Sequence, residues 1–159
     1  MQKSLALLAV LAIPAAAHSM RAPAPTPPAA LCFASGNTIF RLSADAAASD
    51  VRIRIEQDAP RADLRVQWAD RAELADFVLV DDTALLPGGA CRAGAQVRTV
   101  VIDNAAAAPD VVVDVASGGT ADFKVYVHSA RFSQQDAAAL LAAMWKAAQQ
   151  RERTASAVR

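Results

Sequence analysis

The chain has 159 residues, 16 basic against 16 acidic side chains, and a 54% hydrophobic content. That length suits one domain, and a formal net charge of +0 supplies no basic excess for neutralising a nucleic-acid backbone. No catalytic, metal-binding or cofactor-binding signature of this kind is present: there is no GxSxG, no HExxH and no phosphate-cradling glycine loop.

Residues 1–19 read as a secretory signal. Lys3 supplies the positive start, 5–13 (LALLAVLAI) the apolar run, Pro14 its break, and AAAHS small residues for cleavage after Ala17 or Ser19. The run is shorter than the roughly 20 residues that cross a bilayer, and no later stretch is longer and as apolar. Residues 20–30 (MRAPAPTPPAA) follow as a proline-rich flexible leader, since proline fixes φ and removes donors. A single globular body is expected over 31–151 and a frayed tail over 152–159. The expected location is periplasmic or secreted. Cys32 lies too far from the apolar run, behind the bulky Leu31, to be a lipid anchor site. In an oxidising compartment Cys32 and Cys91 are expected to form a disulfide.

Three strands are expected between 51 and 82. VRIRIEQ (51–57) alternates Val51, Ile53 and Ile55 with Arg52, Arg54 and Glu56, the period of a sheet with one wet face. DLRVQWA (63–69) alternates again. ADFVLVDD (75–82) is apolar on both faces over 77–80, which suggests a central strand. A further short strand is expected near 38–42.

The segment 97–128 repeats this order. VRTVVID aligns with VRIRIEQ at an offset of 46, PDVVVDVA with ADLRVQWA at 47, and ADFKVYV with ADFVLVD at 46. The expectation is an internal duplication of a three-strand unit. Short turns then imply antiparallel neighbours, because parallel pairing ordinarily needs a long crossover. From Ser133 the period becomes helical. A capping box, Ser133 to Asp136, opens an expected amphipathic helix over 134–151. Its apolar stripe is Ala137, Leu140, Leu141, Met144, Trp145 and Ala148. The expected fold is therefore α+β: mainly antiparallel, two three-stranded meanders (about 51–82 and 97–128), and a C-terminal helix laid on the sheet.

Candidate chemistry is sparse. His18 falls in the signal, which leaves His128. Ser129 and Ser133 are its neighbours in sequence, and Ser129 would point away from it across a strand. Asp81–Asp82 and Asp103–Asn104 lack the spacing of a calcium loop and suit turns. Asp76 and Asp122, at matching points of the repeats, could form a carboxylate dyad in a shared cleft; the simpler role is to satisfy N–H groups where a strand begins. Trp68 and Trp145 fall on inward faces. Lys124, Tyr126 and His128 alternate outward on one strand and form the candidate partner or ligand face. The expectation is a small exported non-enzymatic protein that binds a protein or envelope partner. The alternatives are a carbohydrate or small-ligand module, and a hydrolase using Asp76 and Asp122, or His128. No catalytic residue, metal ligand or cofactor is assigned.

Overall fold

A computed structural model describes residues 31–80 and 96–157. It contains eight strands and one long helix: β1 Leu31–Ser35, β2 Thr38–Ser43, β3 Val51–Gln57, β4 Leu64–Trp68, β5 Phe77–Val80, β6 Gln96–Ile102, β7 Val111–Val115, β8 Phe123–His128 and α1 Gln134–Ala157. The chain is α+β, as its patterning implies, but the meanders do not form. The strand order is β1-β2-β6-β3-β7-β4-β8-β5, and every pairing except β1 with β2 is parallel.

The short connections made antiparallel pairing look necessary, and the register shows why it is not. Ile53 in β3 has Ile102, the last residue of β6, on one side and Val111, the first of β7, on the other. Val66 in β4 likewise sits between Val115, ending β7, and Phe123, opening β8. Val125 in β8 sits between Trp68, ending β4, and Phe77, opening β5. Each strand thus begins level with the end of the preceding one, two positions away. The connector steps over a single strand, about 10 Å, instead of returning along the sheet. The connectors 44–50, 58–63, 69–76, 103–110 and 116–122 are six to eight residues long. At roughly 3.3 Å per residue that is ample.

The sheet also closes on itself. Seven strand spacings would put the edges of a flat sheet about 34 Å apart. Yet Phe33 on edge strand β1 and Phe77 on edge strand β5 have ring centroids 6.1 Å apart. Inside the curl lies α1, which touches β2, β3, β6, β7 and β8. Ser133 caps it as expected: its Oγ accepts from the Asp136 N–H at 3.1 Å, and Asp136 Oδ2 accepts from the Ser133 N–H at 2.8 Å. The expected one-sided stripe is not what forms. All seven residues from Ala137 to Ala143 are buried, so nearly two full turns are enclosed on every face. Alanine at 137, 138, 139, 142 and 143 favours the helix and keeps it thin enough for strands to surround it. Ala148, assigned to the stripe, is exposed, and the helix continues past 151 to Ala157 as it leaves the sheet.

Two further expectations change. β5 is an edge strand, not a central one: Phe77 and Leu79 face inward while Val78 and Val80 are exposed. The offset of 46 also misaligns β3 with β6. Val51 faces the core, whereas Val97 pairs with Ile39, on the face opposite the buried Phe40 and its partner Arg98. Alternation in β6 has Arg98, Val100 and Ile102 inward, so an offset of 47 or 49 keeps the faces equivalent.

Candidate binding face

The aspartate of ADF has a structural task, performed five times. Asp50, Asp63, Asp76, Asp110 and Asp122 each stand one residue before a strand. Each donates its backbone N–H to a carbonyl of the adjacent strand (Thr99, Val112, Lys124, Arg52 and Arg65 in turn) at 2.7–2.9 Å. Each then accepts, through Oδ2, the N–H of that same residue at 2.6–2.8 Å. A continuing parallel strand would offer that N–H a carbonyl from two residues earlier, but there the chain has turned into its connector. The carboxylate takes the place of the missing carbonyl. Asp76 and Asp122 therefore bind different strand pairs, and each uses a carboxylate oxygen on backbone. Their roles are architectural, across the ladder and not within their own turns.

Polar side chains on the outer face then hold down the connectors. Arg54 Nη1 on β3 donates to the Ala106 carbonyl at 3.1 Å, and Gln67 Nε2 on β4 donates to the Gly119 carbonyl at 3.1 Å. Asp114 on β7, 0% exposed, accepts from the Ala59 N–H at 2.8 Å and from Arg65 Nε at 2.7 Å. In each case the strand being crossed grips the chain that crosses it. Asp103 forms the expected turn, accepting the Ala105 N–H at 3.1 Å, while Asn104 Oδ1 accepts from the Ile55 N–H at 2.9 Å. Asp81–Asp82 lie outside the described residues.

Asp110 also meets Lys146 of α1 in a salt bridge. Burial alone would raise its pKa. Hydrogen bonds from Lys146 and the Arg52 N–H, with the charges of both residues, hold it below the ordinary carboxylate value. A group whose folded pKa is depressed stabilises the fold above its unfolded value of about 4, and that contribution disappears as pH falls through the depressed value. Wild type is expected to exceed Asp110→Asn in urea midpoint at pH 6, with the gap closing as pH falls through the depressed value. A gap unchanged with pH would refute the linkage.

His128 is exposed at the end of β8 and stacks on Tyr126, with centroids 6.5 Å apart and planes at 8°. Neither nearby serine is arranged as its nucleophile. Ser129 Oγ accepts the Arg131 and Phe132 N–H groups at 3.0 and 2.8 Å, and Ser133 caps α1. Trp68 and Trp145 pack against the core. Among the described residues no group of three His, Cys, Asp or Glu side chains could hold a metal ion.

Lys124, Tyr126 and His128 do share the outer face of β8, and the structure adds what lies beside them. Val78 is the register partner of Tyr126, and Val80 of His128. Among the described residues the large hydrophobics that are exposed are Leu74 (54%), Val78 (41%) and Val80 (56%), all on β5 or the connector leading into it. The topology explains the bare valines. Strands β6, β3, β7, β4 and β8 each lie between two strands joined by a short connector, whereas β5 is at the edge. Sequence reasoning missed Leu74, Val78 and Val80 because an apolar run at 77–80 reads as buried on both faces.

No helix among the described residues is long and apolar enough to cross a membrane. The fold and this face define an α+β chain with a mostly parallel, curled sheet around its own C-terminal helix. Compared with known proteins, the chain matches no family model and no curated relative.

Proposed function

We propose that this is an exported, non-enzymatic binding protein whose partner, a protein or envelope component, docks on the outer face of β5 and β8. The observation that carries the reading is that, among the described residues, the exposed large hydrophobics are confined to one edge, beside Lys124, Tyr126 and His128. Isolated exposed apolar residues are ordinary; three gathered on one edge suit an interaction site. Export rests on residues 1–19, which lie outside the described residues, as do the leader and Cys91. Cys32 is buried on the outer side of β1 and is not a free thiol. Its bridge to Cys91 belongs to this proposal, and would close a loop of about 60 residues, worth roughly 4 kcal/mol in the chain-entropy model. The internal duplication belongs here too, supported by the recurring Asp50, Asp63, Asp76, Asp110 and Asp122 geometry.

Photocrosslinking in cells tests the docking face. A photoreactive phenylalanine analogue at position 80 is expected to give a discrete adduct in the envelope fraction. The same analogue at Arg61, on an exposed connector, should give none, and Leu74→Ser with Val78→Ser should abolish the adduct at 80. Identical products from 61 and 80 would sink the proposal. The intact mass of the exported chain, taken without reduction, tests signal removal and the disulfide together; two free thiols would refute the bridge.

A further inference from the structure

We infer that a second site, the open mouth of the curled sheet where α1 emerges, binds an acidic peptide segment. A groove of about 1070 Å³ lies there between the C-terminal half of α1 and the starts of β2 and β6. Three arginines line it, Arg98, Arg151 and Arg153, together with Asn37, Gln96 and Gln150, and among the described residues its lining includes no carboxylate.

Arg98 is unusual in its placement. It pairs in register with Phe40, which is 1% exposed, so it occupies an inward position on β6, in line with Val100 and Ile102. The inward positions beyond it, Leu42, Val100 and Ile102, are apolar, while Thr38 and Gln96 precede it at the mouth. The guanidinium reaches toward the mouth, donating to Gln150 Oε1 at 3.2 Å. Arg151 Nε donates to the Ala147 carbonyl at 3.3 Å and Arg153 Nη2 to Gln149 Oε1 at 3.4 Å. All three are thus oriented by neutral acceptors, and among the described residues none is paired with a carboxylate. Three uncompensated guanidinium groups in one concavity concentrate a positive field on a chain whose total formal charge is +0.

The remaining lining selects among anions. Asn37, Gln96 and Gln150 offer carbonyl acceptors as well as N–H donors. A peptide backbone complements both, whereas a phosphate is chiefly an acceptor. Ala147 and Ala155 leave room on the helix surface for close backbone approach. They are eight residues apart, about 12 Å of helix, enough for three or four extended residues. Residues 20–30 of this chain are a poor occupant, since they carry Arg21 and no carboxylate. This site is on different elements from the β5–β8 face, so either proposal can fail alone.

The test is fluorescence anisotropy of the full chain with a labelled peptide of alternating glutamate and alanine. Saturable binding is expected, weakened roughly ten-fold by Arg98→Gln or by Arg151→Gln with Arg153→Gln, and weakened again by added salt. Arg61→Gln should leave it unchanged. The two helix substitutions lie on exposed residues, which keeps the test informative if Arg98→Gln disturbs folding. Equal binding of a glutamine-for-glutamate peptide, or an equal loss in Arg61→Gln, would overturn the inference. So would displacement by inorganic phosphate or by phosphatidylglycerol vesicles in preference to unlabelled peptide, which would make the groove a phosphate or membrane site.

Discussion

Glutamate placed singly at Ala138, Ala139, Ala142 or Ala143 is expected to unfold the chain or bring it close to unfolding. Each position is 0% exposed, so a carboxylate there is cut off from water, and the one lysine of the helix, Lys146, is already paired with Asp110. An unpaired charge left in such surroundings costs about 3–5 kcal/mol, against a total stability of about 5–15 kcal/mol for an ordinary domain. These four positions lie off the stripe formed by Ala137, Leu140, Leu141 and Met144. A helix merely laid on a sheet would turn them to solvent and accept glutamate with little loss. Ala148→Glu, on an exposed position of the same helix, is the matched control and should change the urea midpoint little. Tolerance at the four positions equal to that at Ala148 would refute enclosure.

The second large effect is expected at Asp114. Its side chain accepts from the buried Ala59 N–H and from Arg65 Nε, fastening the 58–63 connector over β7. Asp114→Ala strands that N–H and leaves Arg65 without its partner, for an expected loss of about 3 kcal/mol. Asp114→Asn keeps an acceptor for Ala59 and should lose less, about 1–2 kcal/mol. Arg65→Ala should be milder than Asp114→Ala, because the Arg65 side chain is 44% exposed and much of the ion pair is screened. Denaturant midpoints of the three variants decide the order. If the alanine and asparagine variants lose equally, the acceptor for Ala59 is not what matters.

Several elements were legible because their signals are local. Alternation marks β3 and β4, and Ser133 with Asp136 marks the start of α1; both depend on residues within one or two turns of each other. Asp76 and Asp122 were legible as strand-entry residues, though not as ladder partners. One further signal was available: β2, β3, β4 and β5 start at Thr38, Val51, Leu64 and Phe77, thirteen residues apart, and Asp50, Asp63 and Asp76 precede three of them. A fixed step of that length describes a chain advancing one strand and one short connector at a time, which a hairpin meander need not do. At the candidate face, Lys124, Tyr126 and His128 could be placed together by alternation within β8. Val78 and Val80 joined them only through the β5–β8 register.

The sequence by itself determined the strands β2 to β8, where the helix begins, and that Asp76 and Asp122 stand at strand entrances, whereas β1 carried no such signal. These follow from periodicity and short-range hydrogen bonding. Tertiary structure alone decided that 96–128 threads between the strands of 38–80, so that short connectors join parallel strands. It also decided that the sheet curls until Phe33 meets Phe77, that the alanines of α1 are enclosed, and that β5 is left at the edge. Alternation specifies the two faces of a strand but is silent about its neighbour. That choice is made by backbone ladders and packing between residues about 50 positions apart.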